Sequence, residues 1–297
     1  MKIERVDVCR CVLGEAPVWD VADQALYLLD IGRSSILRYR PASDSVDSWQ
    51  TPLPATALAL CRDGAALVAM KDTVAALDLA TGEVSSIATA VDQPASATLN
   101  DGKVDRQGRF VIGSCCTDFD SPHENGGIYS LGTDGVLRRA AGGVTFSNGT
   151  CFSPDGATLY FSDPALHTIY AYEYDERTGE IGDRRTLATT RAFGGMPDGA
   201  TVDGDGLVWV AIMEGGKVVA FRPDGQVERV VDLPVALAAS VMFGGAALDQ
   251  LYVATADPTY FGRSGEDGAG YLYVIEELGA RGLAEPRFGG ASRSSPH

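Results

Sequence analysis

Nowhere does the chain carry an unbroken apolar run of about 18 residues, so no helix long and greasy enough to cross a bilayer is expected. The N-terminus, MKIERVDVCRCVLGEAP, has no apolar stretch of the kind that leads a secretory signal. Together these absences predict a soluble, cytoplasmic protein with no membrane partner. Positive charge is scarce. With 24 Lys+Arg against 40 Asp+Glu, the formal charge is −16, so a nucleic-acid backbone would be repelled over most of the surface and nucleic acid is excluded as a partner. Only three histidines occur, His123, His167 and His297, and there is no G-x-S-x-G phrase, which leaves a Ser–His–Asp mechanism without its parts. The six cysteines, Cys9, Cys11, Cys61, Cys115, Cys116 and Cys151, form no CxxC and no Cys/His pair at zinc spacing. They are expected to be buried free thiols.

What the chain does have is repetition. The same kind of β-rich run returns six times, as ALYLLD from Ala25, ALVAM from Ala66, RFVIGS from Arg109, ATLYFSD from Ala157, GLVWVAI from Gly206 and DQLYVATAD from Asp249. A second run follows each, for example SILRYRP from Ser35 and KVVAFRP from Lys217. Alternation at period two marks strands, and turns such as ATGE, RTGE and RPDG end them. Six copies over 297 residues leave roughly 50 residues each, the size of one four-stranded propeller blade. An all-β, six-bladed β-propeller is therefore expected, forming a single domain over residues 1–290. Several strands are apolar on both faces, as sheets sandwiched between other sheets require. The early segment IERVDVCR reads as a strand that completes the last blade, and 291–297 reads as a disordered tail or expression remnant.

Registering the copies on their β-rich runs puts Glu15, Thr56, Asn100, Asn148, Asp198 and Ser240 at equivalent places, at the start of the innermost strands. All six are polar, and in a propeller such positions converge on the central axis. Any one of the phrases NDG, SNG or PDG reads as an ordinary turn. Four copies delivering oxygen-bearing side chains to one axis, Glu15, Asn100, Asn148 and Asp198, make a site for one hard divalent cation, with Ca, Mg, Mn, Zn and Fe all open.

At these residues the chain resembles the senescence marker protein, regucalcin and gluconolactonase family of six-bladed propellers. The matching phrases are LGEAPVWD at 13–20, LNDGKVDRQGRFVIGS at 99–114, FSNGTCFSPDGATLYFSD at 146–163, PDGATVDGDGLVWVAI at 197–212 and MFGGAALDQLYVATAD at 242–257. The resemblance implies that Glu15, Asn148 and Asp198 hold the metal, and that Asn100, with Asp101 beside it, contacts substrate or metal-bound water. It also implies hydrolysis of a small sugar lactone, with Asp198 as the base that takes the proton from water.

One departure bears on the substrate. Family sugar lactonases often carry an arginine two residues before the Asn of NDGK, whereas here that residue is Thr98. A short hydroxyl cannot replace a guanidinium fork, so glucono-1,5-lactone is expected to be a poor substrate. His123 and Glu124 in the insert TDFDSPHENGG, and Arg191 in TRAFGGMPD, are further candidates to line the mouth. Trp19 and Trp209 are expected to pack between blades. Two other functions stay open on the residues alone: a metal-dependent esterase or organophosphate hydrolase, and a non-catalytic calcium-binding propeller.

Overall fold

Strands that are apolar on both faces need a sheet on each side, and the chain supplies six. The structure is a computed structural model describing residues 1–116 and 126–290, so His123, Glu124 and the 291–297 tail lie outside the described residues. Six four-stranded antiparallel sheets make up the six blades of a propeller, with four short 3-10 turns and no α-helix among the described residues. The inner strands, in blade order one to six, are Gly14–Asp20, Ala57–Leu60, Ala97–Val104, Asn148–Phe152, Met196–Val202 and Ala238–Gly244. Lys2–Arg10 pairs antiparallel with Tyr271–Glu276 as the outermost strand of blade six, joining the two ends of the chain in one sheet. That closure is the role expected of IERVDVCR.

The core lies in the seams between blades rather than at one centre. Six hydrophobic clusters each join two consecutive blades, from blades one and two round to blades six and one. Every residue of Ala25–Asp30 is buried, because one face meets blade two and the other blade six. Trp19 stacks on Tyr252 at 5.6 Å across the seam of blades six and one, and Trp209 meets Phe243 edge-on at 5.6 Å across that of blades five and six. Both tryptophans thus pack between blades, as expected, and such pairs add about 0.5–1.5 kcal/mol beyond their burial. All six cysteines are buried and none is in a disulfide.

One element escaped the sequence reading. Residues 277–290 run beneath the propeller at the end away from the polar ring and tie together the hairpin turns of several blades. Gly204 donates to the Arg281 carbonyl (2.7 Å), Phe288 to that of Leu60 (2.8 Å) and Gly289 to that of Gly108 (2.9 Å). Phe288 is fully buried, and Arg287 pairs with Asp20 at 2.5 Å.

Candidate functional site

A regular inner strand would point alternate side chains into the seams, so something must turn the polar residues toward the axis. In five of the six inner strands one extra residue interrupts the ladder at the ring: between Glu15 and Val18, Leu99 and Gly102, Asn148 and Cys151, Pro197 and Ala200, and Ala238 and Ser240. Bulges of this kind bend the strand and re-aim a side chain. In blade two the ladder is regular and Thr56 lies just before it. The backbone shows the local cost, since Ala16, directly after Glu15, sits at φ 45° in the left-handed region. For a residue with a Cβ that costs about 1–2 kcal/mol. At the matching place in blade four the chain uses Gly149, at φ 60°.

Hydrogen bonds across the seams fix the ring. Thr56 Oγ1 donates to the Leu99 carbonyl (2.9 Å), joining blades two and three. Asn100 Nδ2 donates both to the Ser147 carbonyl (2.7 Å) and to Asn148 Oδ1 (3.0 Å), joining blades three and four. With its amide hydrogens so used, Asn100 keeps its oxygen for other work. Asp101 turns the other way and accepts from the Thr150 backbone N–H at 2.8 Å, behind the ring.

Glu15, Asn100, Asn148 and Asp198 share the lining of one cavity of about 180 Å3 at the mouth. Asp198 is 6% exposed, and its Oδ1 has no hydrogen-bond partner. Burial, with the charge of Asp101, pushes its carboxyl well above the usual carboxylate range. Burial likewise raises Glu15, and Asp198 and Asp101 raise it further, while the N–H of Ala16 and the buried Lys103 pull it back. An ionised carboxylate oxygen held out of water without a donor is costly unless a cation meets it. When Glu15, Asp101 and Asp198 ionise, their three charges against the ammonium of Lys103 leave two negative charges, the number a divalent ion cancels. Among the described residues no three His, Cys, Asp or Glu side chains form a metal-holding group, so a cation here relies on amide oxygens as well. The donor set is all oxygen and suits a hard ion. By charge and by chemistry, the residues fit.

A profile of the SMP-30/gluconolactonase/LRE-like region matches residues 13–257. The chain belongs to this family. Regucalcin of Xenopus laevis is 32% identical over 298 residues, covering 98% of this chain and 99% of that protein. The 6-deoxy-6-sulfogluconolactonase of Pseudomonas putida is 36% identical over 288 residues, covering 94% and 96%. Among solved structures, a luciferin-regenerating enzyme superposes with a TM-score of 0.87 at 25% identity, covering 96% of this chain and 98% of its own.

Within this SMP-30/gluconolactonase-type propeller, other residues singled out in the sequence stand apart from the cavity lining. Thr98 Oγ1 donates to the carbonyls of Lys71 (3.2 Å) and Leu99 (3.3 Å). Arg191 is exposed at the start of a 3-10 turn, Arg191–Phe193. Neither they nor Asp101 line the cavity among the described residues. Sequence reasoning missed the apolar side of the lining, among it Phe146, Met196, Met213 and Leu237, and two residues at the rim. Glu214 and Phe261 reach the lining from loops between the middle strands of blades five and six, and nothing in their own phrases marks them. Lys103 had a visible signal, since a lysine in an inner strand, two residues after Asp101, needs a partner charge if it is buried.

Proposed function

We propose that this protein is a divalent-cation-dependent lactonase that hydrolyses a small lactone to its hydroxy acid. The observation that carries the reading is the buried, unpartnered Oδ1 of Asp198 beside Glu15 on the oxygen-lined floor of a small cavity. Glu15, Asn148 and Asp198 would hold the cation, which when bound supplies polarisation of the lactone carbonyl. Asn100 orients Asn148 through its amide hydrogens and offers its own oxygen to the water or to a substrate hydroxyl. Asp198 accepts the proton of the attacking water. The water oxygen bonds to the carbonyl carbon, the ring C–O bond breaks, and the released alkoxide takes up a proton to complete the hydroxy acid. Excluding bulk water from the floor strengthens each of these contacts.

The names of lactonase relatives favour aldonolactones as the first class to try. Thr98 lacks the fork that would clamp sugar hydroxyls, so glucono-1,5-lactone is expected to rank low among them. A pH-stat assay over a lactone panel, with Ca, Mg, Mn, Zn or Fe(II) added to chelated protein, tests the reading. Acid release that needs a metal supports it. No release from any lactone with any of the metals overturns it.

A further inference from the structure

The mouth cavity has two unlike halves. Its floor is the oxygen ring, but nine of its fifteen described lining residues are apolar, among them Leu13, Phe146, Met196, Met213, Leu237 and Phe261. They come from blade five, from 3-10 turns of blades one, four and six, and from the loops leading into blades one, four and six. Met213 and Leu237 form a small hydrophobic cluster of their own with Ala239 and Ala256, against which Leu13 and Met196 pack. The wall is thus a packed surface. Phe261, at the rim, is 45% exposed with Tyr260 edge-on at 5.0 Å, so apolar surface continues outward from the cavity.

Hydrogen-bonding capacity on the described lining is correspondingly small. Its side-chain donors are Thr56, Asn100 and Asn148, and the first two already donate to protein groups. Glu214 at the rim is paired with Arg263 at 2.6 Å. A polyhydroxylated lactone seated with its carbonyl on the floor would press hydroxyls, each a donor and an acceptor, against this wall. Such groups lose their water and gain no partner among the described residues of this wall. We infer, building on the lactonase reading, that the substrate is a lactone with an apolar flank, carrying an alkyl substituent or a deoxygenated ring edge, rather than a fully hydroxylated aldonolactone. Its carbonyl lies on the oxygen floor and its apolar flank on the Leu13, Met196, Met213, Leu237 and Phe261 wall.

Matched carbon skeletons make the test. γ-Valerolactone and xylono-1,4-lactone share one skeleton, as do δ-hexalactone and glucono-1,5-lactone, so each pair differs only in hydroxyl groups. The metal-loaded protein is assayed on all four, with each kcat/KM divided by the spontaneous hydrolysis rate. The alkyl member of each pair is expected to be favoured by at least about tenfold. Phe261→Asn, at a half-exposed position that carries little folding risk, should lower kcat/KM for the alkyl lactones by about tenfold more than for the aldonolactones. Equal or better hydrolysis of the aldonolactones by the unaltered protein overturns the inference while leaving the lactonase reading intact. If Phe261→Asn changes both classes alike, that also overturns the inference. Absence of hydrolysis of every lactone overturns both, and metal binding measured by calorimetry on the same sample then shows whether the floor still takes a cation.

Discussion

Asp198 is asked to be both a ligand and a base, and a single substitution separates the two roles. Asn keeps one coordinating oxygen and nearly the same shape but cannot take a proton. At saturating metal, Asp198→Asn is therefore expected to lower kcat by about 100-fold or more while weakening metal binding less. Steady-state kinetics beside calorimetry checks this, and near-normal turnover in a metal-loaded variant would leave Asp198 as a ligand only. A second expectation follows from the raised carboxyls of Glu15 and Asp198. Without a cation, the folded state holds these protons to higher pH than the unfolded chain does, so their contribution to stability falls as pH rises above the ordinary carboxylate range. A bound cation removes that penalty, and it competes with protons for the same oxygens. Chelation should therefore lower the melting temperature more at about pH 8 than at about pH 5, with metal affinity rising over the same interval. Equal effects of chelator at the two pH values would show that these carboxyls do not titrate with the metal.

At the scale of an element, the recurring bulge is what converts a strand into a site. It also brings neighbouring inner strands unusually close. A Cβ added to Gly199, the residue after Asp198, would lie 2.0 Å from Ser240 Oγ and 2.8 Å from Ser240 Cα. Rotating the serine hydroxyl relieves the first contact but not the second, which is backbone. Gly199→Ala is expected to destabilise the protein by about 1–3 kcal/mol and to cut activity by displacing Asp198. Thermal melting together with the lactone assay checks both. A variant that melts and turns over like its parent would show that the bulge tolerates more room than the packing implies.

For the molecule as a whole, stability is distributed around a ring of seams, and two devices keep the ring shut. One is the pairing of Lys2–Arg10 with Tyr271–Glu276. The other is the 277–290 segment under the end opposite the site, anchored by the fully buried Phe288 in the seam cluster of blades two and three. Phe288→Ala should cost about 3–5 kcal/mol, as for other large core truncations. Metal affinity of the protein that remains folded should be unchanged, because the segment and the oxygen ring lie at opposite ends of the inner strands. Denaturant unfolding and calorimetry at one temperature test the pair of claims, and a loss of metal affinity without a loss of stability would contradict them.

The sequence by itself determined the repeat, the strand alternation and the equivalence of Glu15, Thr56, Asn100, Asn148, Asp198 and Ser240. All of these are properties of local spacing, and a period of two read in six copies needs no knowledge of what touches what. The tertiary structure alone decided how those residues meet. That Asn100 spends its amide hydrogens on Ser147 and Asn148 depends on the distance between blades three and four, which no single phrase encodes. The unpartnered Oδ1 of Asp198 becomes visible only once every neighbour is in place. The apolar wall is the clearest case, because Leu13 and Phe261 are separated by almost the whole chain and come together only through closure of the ring. Alternation fixes which face a residue takes within its own sheet, whereas the lining of a cavity on the axis is set by loops from several blades, and their convergence is a long-range consequence of packing.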